Sequence, residues 1–527
     1  MLLQSGKTID FCPSVPYVFS MTYTPETSDR NESLDFTAEY QKEKANLQKH
    51  FGRREILFFT VCTLVGVDTI GAIAAAGPEA FSWLAILAIA FFIPSALLFA
   101  ELGTAFPEEG GPYLWARLAF GRLAASINNF LYWVTNPVWY GGTLALVALT
   151  AIETFFLKGG SLSTFWYYAL GIAFIWIGTL ASILSFNVGK WIPILGAFAR
   201  FIVLGVFTLS IVLYAIKFGI HGPSFASFKV TWPGFVAVTA LILFNFVGFE
   251  NPSSAGDEMT DSQRDVPFAV FRSAFYAILL YGVPILGVIL VLPANQASNL
   301  GGFIDSIKAT FAVFGGTIAK DGTVTLSGFG VVMGDFAAIL FLLCVLSSGV
   351  AWLMGSDRAL AVSGYDGAAP RWLGVFSEKY GTPVRVNILS GLVSTLVFVL
   401  ARIISNGDAA KYFTVVLGIA ISTTLMSYIA IFPALWKLRV SHPHSTRVYR
   451  APLPRFLSVW LTVIVSFATV QLLAPGLGAG WFADAYRPDG WAASEKWKYL
   501  FTEAIPLGIF ILIGVLFWAI GRRNLKK

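Results

Sequence analysis

Apolar runs long enough to cross a lipid bilayer recur along almost the whole of this chain. A hydrocarbon core roughly 30 Å thick needs about 20 apolar residues of helix. Such runs fall at about 56–77, 81–105, 123–157, 163–185, 190–216, 234–256, 268–293, 331–362, 384–404, 410–436, 456–475 and 499–521. Of the 527 residues, 56% are hydrophobic and 13% charged, whereas a soluble domain carries about 25% charged residues. In lipid each backbone polar group must be satisfied internally, which leaves helices or closed barrels. Barrel strands alternate over roughly ten residues, and these runs do not. The expected fold is therefore all-α, a polytopic membrane protein of about twelve transmembrane helices. The first twenty residues lack the basic start and clean apolar core of a cleavable signal peptide.

Several function classes are excluded. Cys12, Cys62 and Cys344 are scattered, with no disulfide framework or metal spacing. His50, His221, His442 and His444 all fall in tails or loops, so neither haem nor a metal centre is expected inside the spans. No G-x-x-x-x-G-K-[ST] sequence occurs, so nucleotide does not drive the chain through a P-loop. No regularly spaced Arg run resembles a voltage sensor. The spans contain no nucleophile–base pair, so an enzyme is not expected. No cofactor and no nucleic-acid partner are implied; the partners are the bilayer and a small molecule.

An even number of spans places both termini on one side. With that side inside, fourteen Lys and Arg fall in inner loops, among them Arg117, Arg358 and Arg439, and ten in outer loops. Arg53-Arg54 and Arg522-Arg523 add to the inner side. The positive-inside rule then selects cytoplasmic termini and a cell-membrane location. Residues 1–52 read as a cytoplasmic tail, 53–440 as a core of ten spans and 441–527 as two appended spans with the C-terminus. Within the tail, Asp35 to Lys49 reads either as disordered or as a short helix on the membrane surface. Phe303 to Phe314, in the long outer connection of residues 294–330, has an amphipathic pattern suited to capping the outer mouth. The outer loop from Trp481 to Lys498 is rich in Trp and Tyr, as at a membrane interface.

Two spans share one interruption. The first holds Gly66-Val67-Asp68 and the sixth Gly248-Phe249-Glu250. A carboxylate at bilayer depth is costly and marks function by default. Matched broken spans in two halves point to a transporter binding site. Spans one to five and six to ten thus form an inverted repeat. Helical rise places Asp68 about 18 Å along span one and Glu250 about 24 Å along span six, nearer the inner face. Unwinding at Gly66, Gly71 and Gly248 frees N–H groups that suit a carboxylate and C=O groups that suit an ammonium.

Arg200 lies about 16 Å along span five and is always charged, so it must face carbonyls or a carboxylate, with Asp68 the best acidic partner. Ser347 and Ser348 supply polar lining in span eight or bond only to their own helix. Asn245 needs a partner within its span, while Phe244, Phe246 and Phe249 flank the break as packing or as a gate. Glu101 reads as a structural hinge. Asp257, Glu258, Asp261, Arg264 and Asp265 form a charged inner end to span six, either solvated or an inner gate that Asp357-Arg358 would complete.

Three segments carry a resemblance. Phe99-Ala-Glu-Leu-Gly-Thr-Ala-Phe-Pro-Glu-Glu-Gly-Gly-Pro-Tyr113, Phe246-Val-Gly-Phe-Glu-Asn-Pro-Ser-Ser-Ala-Gly-Asp-Glu258 with Gln263-Arg-Asp-Val-Pro267, and Ser356-Asp-Arg-Ala-Leu360 through Gly381-Thr-Pro383 resemble signatures of the amino acid–polyamine–organocation superfamily. The whole is most similar to its glutamate/GABA-antiporter-related branch. The resemblance covers about residues 53–440 and implies a LeuT-like 5+5 inverted repeat. It further implies that Gly71 and nearby amides face a substrate carboxylate, that carbonyls around Phe244 to Phe246 face an amine, and that Glu250 belongs to the inner gate. Arg200 aligns with a lysine that replaces a sodium ion in proton-coupled relatives, and Ser347 and Ser348 with the wall of that site. Two departures stand out: Gly71-Ala72-Ile73 where a second glycine is usual, and Asp68 itself.

The expected substrate-binding set is Gly66, Asp68, Thr69, Gly71, Ala72, Phe244, Asn245, Phe246 and Gly248, with Glu250, Arg200, Ser347 and Ser348 gating or coupling. The leading expectation is a secondary transporter of amino acids working by alternating access. A polyamine or organic cation carrier is the alternative, and a non-transporting sensor on the same scaffold the remote one.

Overall fold

Glycine and proline decide where these helices break and turn. The computed structural model describes residues 49, 51–184, 189–220, 222–292, 302–319, 322–404, 409–488 and 490–525. Apart from Lys49, the proposed surface helix of the tail lies outside them. Span one runs as Arg53–Leu64, unwinds, and resumes over Ile70–Ala75. Gly77, at φ +81°, turns the chain directly into span two. Span six runs as Trp232–Asn245, breaks, and continues as 3-10 turns over Asn251–Glu258. Gly248 makes that second break possible, since its φ of +126° is one that L side chains rarely adopt.

Among the described residues, ten further helices are long and apolar enough to cross a membrane. Spans two to five are Gly77–Ala105, Gly111–Phe156, Thr164–Ile183 and Trp191–Phe218. Spans seven to ten are Ser262–Val291 and Phe329–Tyr365, then Val384–Ile404 and Ala409–Ser441. Spans eleven and twelve are Pro454–Leu473 and Lys496–Leu525. With the two broken spans this makes the twelve expected. Span three begins twelve residues earlier than its apolar run suggests. Arg117 and Arg122 read as loop residues, but both reach the buried carboxylate of Asp366 at the end of span eight.

The packing follows the inverted repeat. Span three packs extensively on span ten, and span five on span eight. Shifting each number by five exchanges the two pairs. The first half of span one packs on span seven, and the first half of span six on span two, a second exchanged pair. Close approach needs small residues, as in membrane bundles generally. A side chain on Gly141 of span three would begin 2.1 Å from the Ser394 carbonyl oxygen of span nine.

Proline effects are compensated in the same way. Span two widens to a π-turn at Ala88–Phe92 just before Pro94. Pro94 cannot donate to the carbonyl of Ala90, and the indole of Trp460 in span eleven donates to that carbonyl instead, at 2.6 Å. The connection between spans seven and eight forms a helix, Gly302–Phe311, and a small antiparallel hairpin of Gly316–Ile318 with Val324–Leu326. The helix packs its apolar face on Ile70–Ala75 and on spans five and eight. Both described chain ends lie at the same end of the bundle. Phe51 pairs with Met259 at the end of span six, and Gly521 packs on Gly367, just past span eight. This end is called the terminal side below, and the opposite end the far side.

Candidate functional site

The two breaks meet in mid-bundle and are bonded to each other. Thr63, just before the first break, donates to the carbonyl of Gly248 at 3.0 Å, and the Trp352 indole of span eight donates to the Thr63 carbonyl at 3.1 Å. Thr69, just after the first break, donates to the Asn245 side-chain oxygen. The Asn245 amide nitrogen donates to the Leu241 carbonyl at 2.8 Å, so Asn245 has the partner its position requires.

Between the breaks lies a cavity of about 20 Å³, lined by Gly66, Asp68, Thr69, Asn136, Trp139, Phe244, Asn245, Tyr281 and Trp352, among others. That volume holds about one water, so the walls must separate before any substrate enters. Asp68 is 7% exposed. One carboxylate oxygen accepts from the Trp139 indole at 3.0 Å, and the other has no hydrogen-bond partner among the described residues. Gly66 makes room for it: a side chain there would begin 2.9 Å from that free oxygen.

Arg200 does not pair with Asp68. Its Nε donates to the Val65 carbonyl at 2.8 Å, and its Nη1 to Ser347 at 2.8 Å and to the Cys62 sulfur at 3.2 Å. Its Nη2 donates to the Cys344 carbonyl at 2.8 Å and to Ser348. A fixed cation thus fills the space between the unwound end of span one and span eight. The Val65 carbonyl freed by the break, the Cys344 carbonyl and the side chains of Cys62, Ser347 and Ser348 satisfy its donors. Ser347 and Ser348 both face it, although Ser347 also bonds back to Cys344.

The structure separates the other expected site residues from this cavity. Ala72 lines a far-side vestibule of about 360 Å³ between spans one, six, ten and eleven, bordered also by Leu241, Ile421, Tyr486 and Tyr499. Gly71 is buried one residue before it. Phe246 and Phe249 pack against Phe92 of span two, and Gly248 sits behind the cavity against Thr63 and Trp352. Glu250 is fully buried and accepts from Tyr132 of span three at 3.1 Å and from the Gly248 amide at 3.2 Å. Trp139, Tyr281 and Trp352 complete the cavity, and none was singled out from the sequence. Trp and Tyr at regular depth in apolar spans read as packing, and no local signal distinguishes these three.

The terminal side is closed. Arg358 at the end of span eight is buried and pairs with Glu258 at 2.7 Å and with Glu109 at 3.5 Å. The Glu109 amide donates to Asp257 at 3.2 Å. Asp257 lies beyond the apolar part of span six, and burial pushes its carboxyl up to about 6 against that bond, with Glu258 adding to the rise. Phe51 exchanges backbone bonds with Glu258 and Thr260, Arg53 pairs with Asp265 at 2.7 Å, and Glu55 with Lys190 of span five at 2.6 Å. Asp357 faces the other way, accepting from Trp133, Asn387 and Ser390, and so braces spans three, eight and nine. Glu101 joins span two to span ten through Arg439, pairs with Arg447 in the connection that follows, and accepts from the Ala451 amide at 2.7 Å.

Two broken helices bonded to each other around a central cavity, in a bundle of apolar spans, fit a membrane transporter. The chain belongs to the amino acid permease family, whose profile it matches over residues 51–483; it is a multi-pass membrane permease and not an enzyme. It is similar to an uncharacterized transporter of Legionella pneumophila, 29% identical over 418 residues, 75% of this chain and 83% of the relative. It is also similar to a probable agmatine/putrescine antiporter of Lactococcus lactis, 25% identical over 77% of this chain and 83% of the relative. A cadaverine/lysine antiporter of Escherichia coli is 23% identical over 66% of this chain and 73% of the relative.

Proposed function

We propose that the protein carries amines across the membrane by alternating access, binding the substrate ammonium at Asp68, with the terminal side facing the cytoplasm. The carrying observation is the free oxygen of Asp68, a buried carboxylate on the wall of the central cavity. An uncompensated buried charge is costly, and the nearby cation, Arg200, is already occupied by carbonyls and hydroxyls. An ammonium from the substrate supplies the missing partner. Asp68 also sits just before the N-terminus of the Ile70–Ala75 helix, where an amino acid's own carboxylate would otherwise be drawn. The relatives named for agmatine, putrescine and cadaverine point to the same substrate class.

Amino acid transport is the second reading, favoured by the family itself and by a relative named for both cadaverine and lysine. In either reading, spans one, two, six and seven move against three, four, eight and nine. Opening requires release of the Arg358–Glu258 bond and of the clasp at Phe51. Proteoliposomes loaded with unlabelled amine or amino acid and supplied with labelled putrescine, cadaverine, agmatine or their parent amino acids test the proposal. Amine exchange abolished by Asp68→Asn is the expected result. Flux restricted to amino acids and untouched by that substitution overturns it.

A further inference from the structure

Tyr281 lies in the middle of span seven, is 2% exposed, and lines the same cavity. Its phenol oxygen accepts the Gly66 amide at 2.7 Å. Its single proton is directed to the Leu64 carbonyl at 2.9 Å, with the Gly66 carbonyl a longer alternative at 3.2 Å. One side chain from another span therefore caps the unwound backbone on both sides of Val65. This matters because an exposed N–H in a helix break is what holds a substrate carboxylate. Here the Gly66 amide is already bonded, and the adjacent wall carries the Asp68 charge.

We infer that Tyr281 is a specificity-determining residue that keeps α-carboxylates out of the site by occupying the Gly66 amide. The inference rests on the amine reading above. It assigns the two discriminating tasks to different residues: Asp68 attracts the ammonium, and Tyr281 denies the carboxylate its donor. A zwitterion entering the site would leave its carboxylate desolvated beside Asp68, with the Gly66 amide already taken by Tyr281. A diamine of the same length has no such group. Removing the hydroxyl frees the amide while leaving the ring, and so the cavity wall, in place.

The test uses two ligands that differ by one carboxylate, cadaverine and lysine, in equilibrium binding to the purified full-length protein. Wild-type protein is expected to prefer cadaverine. In Tyr281→Phe the cadaverine-to-lysine affinity ratio is expected to narrow about tenfold, the size of one hydrogen bond to a charged group. Tyr281→Gln, which restores an acceptor for the Gly66 amide, is expected to bring the ratio back toward wild type. Should Tyr281→Phe fail to fold, Tyr281→Met against Tyr281→Gln gives the same contrast. A wild-type preference for lysine overturns the amine reading itself. A wild-type preference for cadaverine whose ratio is unchanged in the variants overturns the role of Tyr281 alone. Parallel loss of both ligands marks Tyr281 as mere support and likewise overturns it.

Discussion

The indole nitrogen of Trp139 in span three lies 3.0 Å from one carboxylate oxygen of Asp68 in the break of span one. It is the one side-chain donor bonded to that carboxylate among the described residues. The bond fixes the orientation of the acid and ties span one to span three, two spans that the proposed cycle moves against each other.

Asp68→Asn removes the charge but keeps the shape. Amine affinity is expected to fall about 100-fold, as for the loss of a charge-assisted bond, with folding kept or strengthened because an unpaired buried charge has gone. Trp139→Phe leaves Asp68 charged but unheld, and its expected loss is smaller, about tenfold. Labelled-amine binding together with a melting curve checks both. Equal affinities in all three proteins would place the ammonium elsewhere.

Arg200 carries five hydrogen bonds across spans one, five and eight. Arg200→Met leaves the Val65 carbonyl without its donor and the Cys344 carbonyl with Ser347 alone, and is expected to cost about 1–3 kcal/mol. Arg200→Lys keeps a charge but has fewer donors, and a desolvated lysine releases its proton readily while arginine does not. Transport by Arg200→Lys is therefore expected to vary between about pH 7 and 9, where the wild type stays flat. Stopped-flow uptake across that range decides.

Part of this was legible in the sequence and part was not. Gly66, Asp68, Gly248 and Glu250 announced the breaks because glycine and a carboxylate are both out of place in an apolar helix. Arg200 was visible for the same reason, and so was Asn245. Their partners were not. Charge pairing favoured Asp68 for Arg200, yet the break exposes the Val65 carbonyl to the guanidinium and span eight supplies the Cys344 carbonyl and two serines, and unwinding invalidates the helical arithmetic that set the two side by side. Trp139 and Tyr281 act through orientation imposed by spans three and seven, and nothing in their neighbouring residues records it. The start of span three was hidden because Arg117 and Arg122 are neutralised by Asp366, about 250 residues later.

Glu258→Gln weakens the bond that holds the end of span six to Arg358. The terminal side is expected to open more often, read as faster labelling of Ala255→Cys by an impermeant thiol reagent in a Cys12→Ser background. Asp257 gives this opening a pH dependence. Its carboxyl titrates near 6 when closed and near 4 when solvated, so the closed state binds the proton more tightly. Closure is favoured below about pH 6 and loses that support as pH rises through it. Labelling should therefore slow on acidification, and Asp257→Asn should label slowly at every pH. Faster labelling in acid would reverse the assigned sign.

Glu503 of span twelve is fully buried, and neither carboxylate oxygen has a hydrogen-bond partner among the described residues. It lies against Gly418 of span ten, where a side chain would begin 2.7 Å from one of its oxygens. Spans eleven and twelve stand outside the repeat, so a polar group here serves neither break. Burying it without a partner works against folding, and Glu503→Leu removes that burden at nearly constant volume. A gain of about 1–2 kcal/mol is expected, read as a melting temperature higher by a few degrees, with Glu503→Gln intermediate. Amine flux should match the wild type in both. A stable Glu503→Leu protein that no longer transports would instead show that the acid takes up a proton or cation during the cycle, and would bring span twelve into the mechanism.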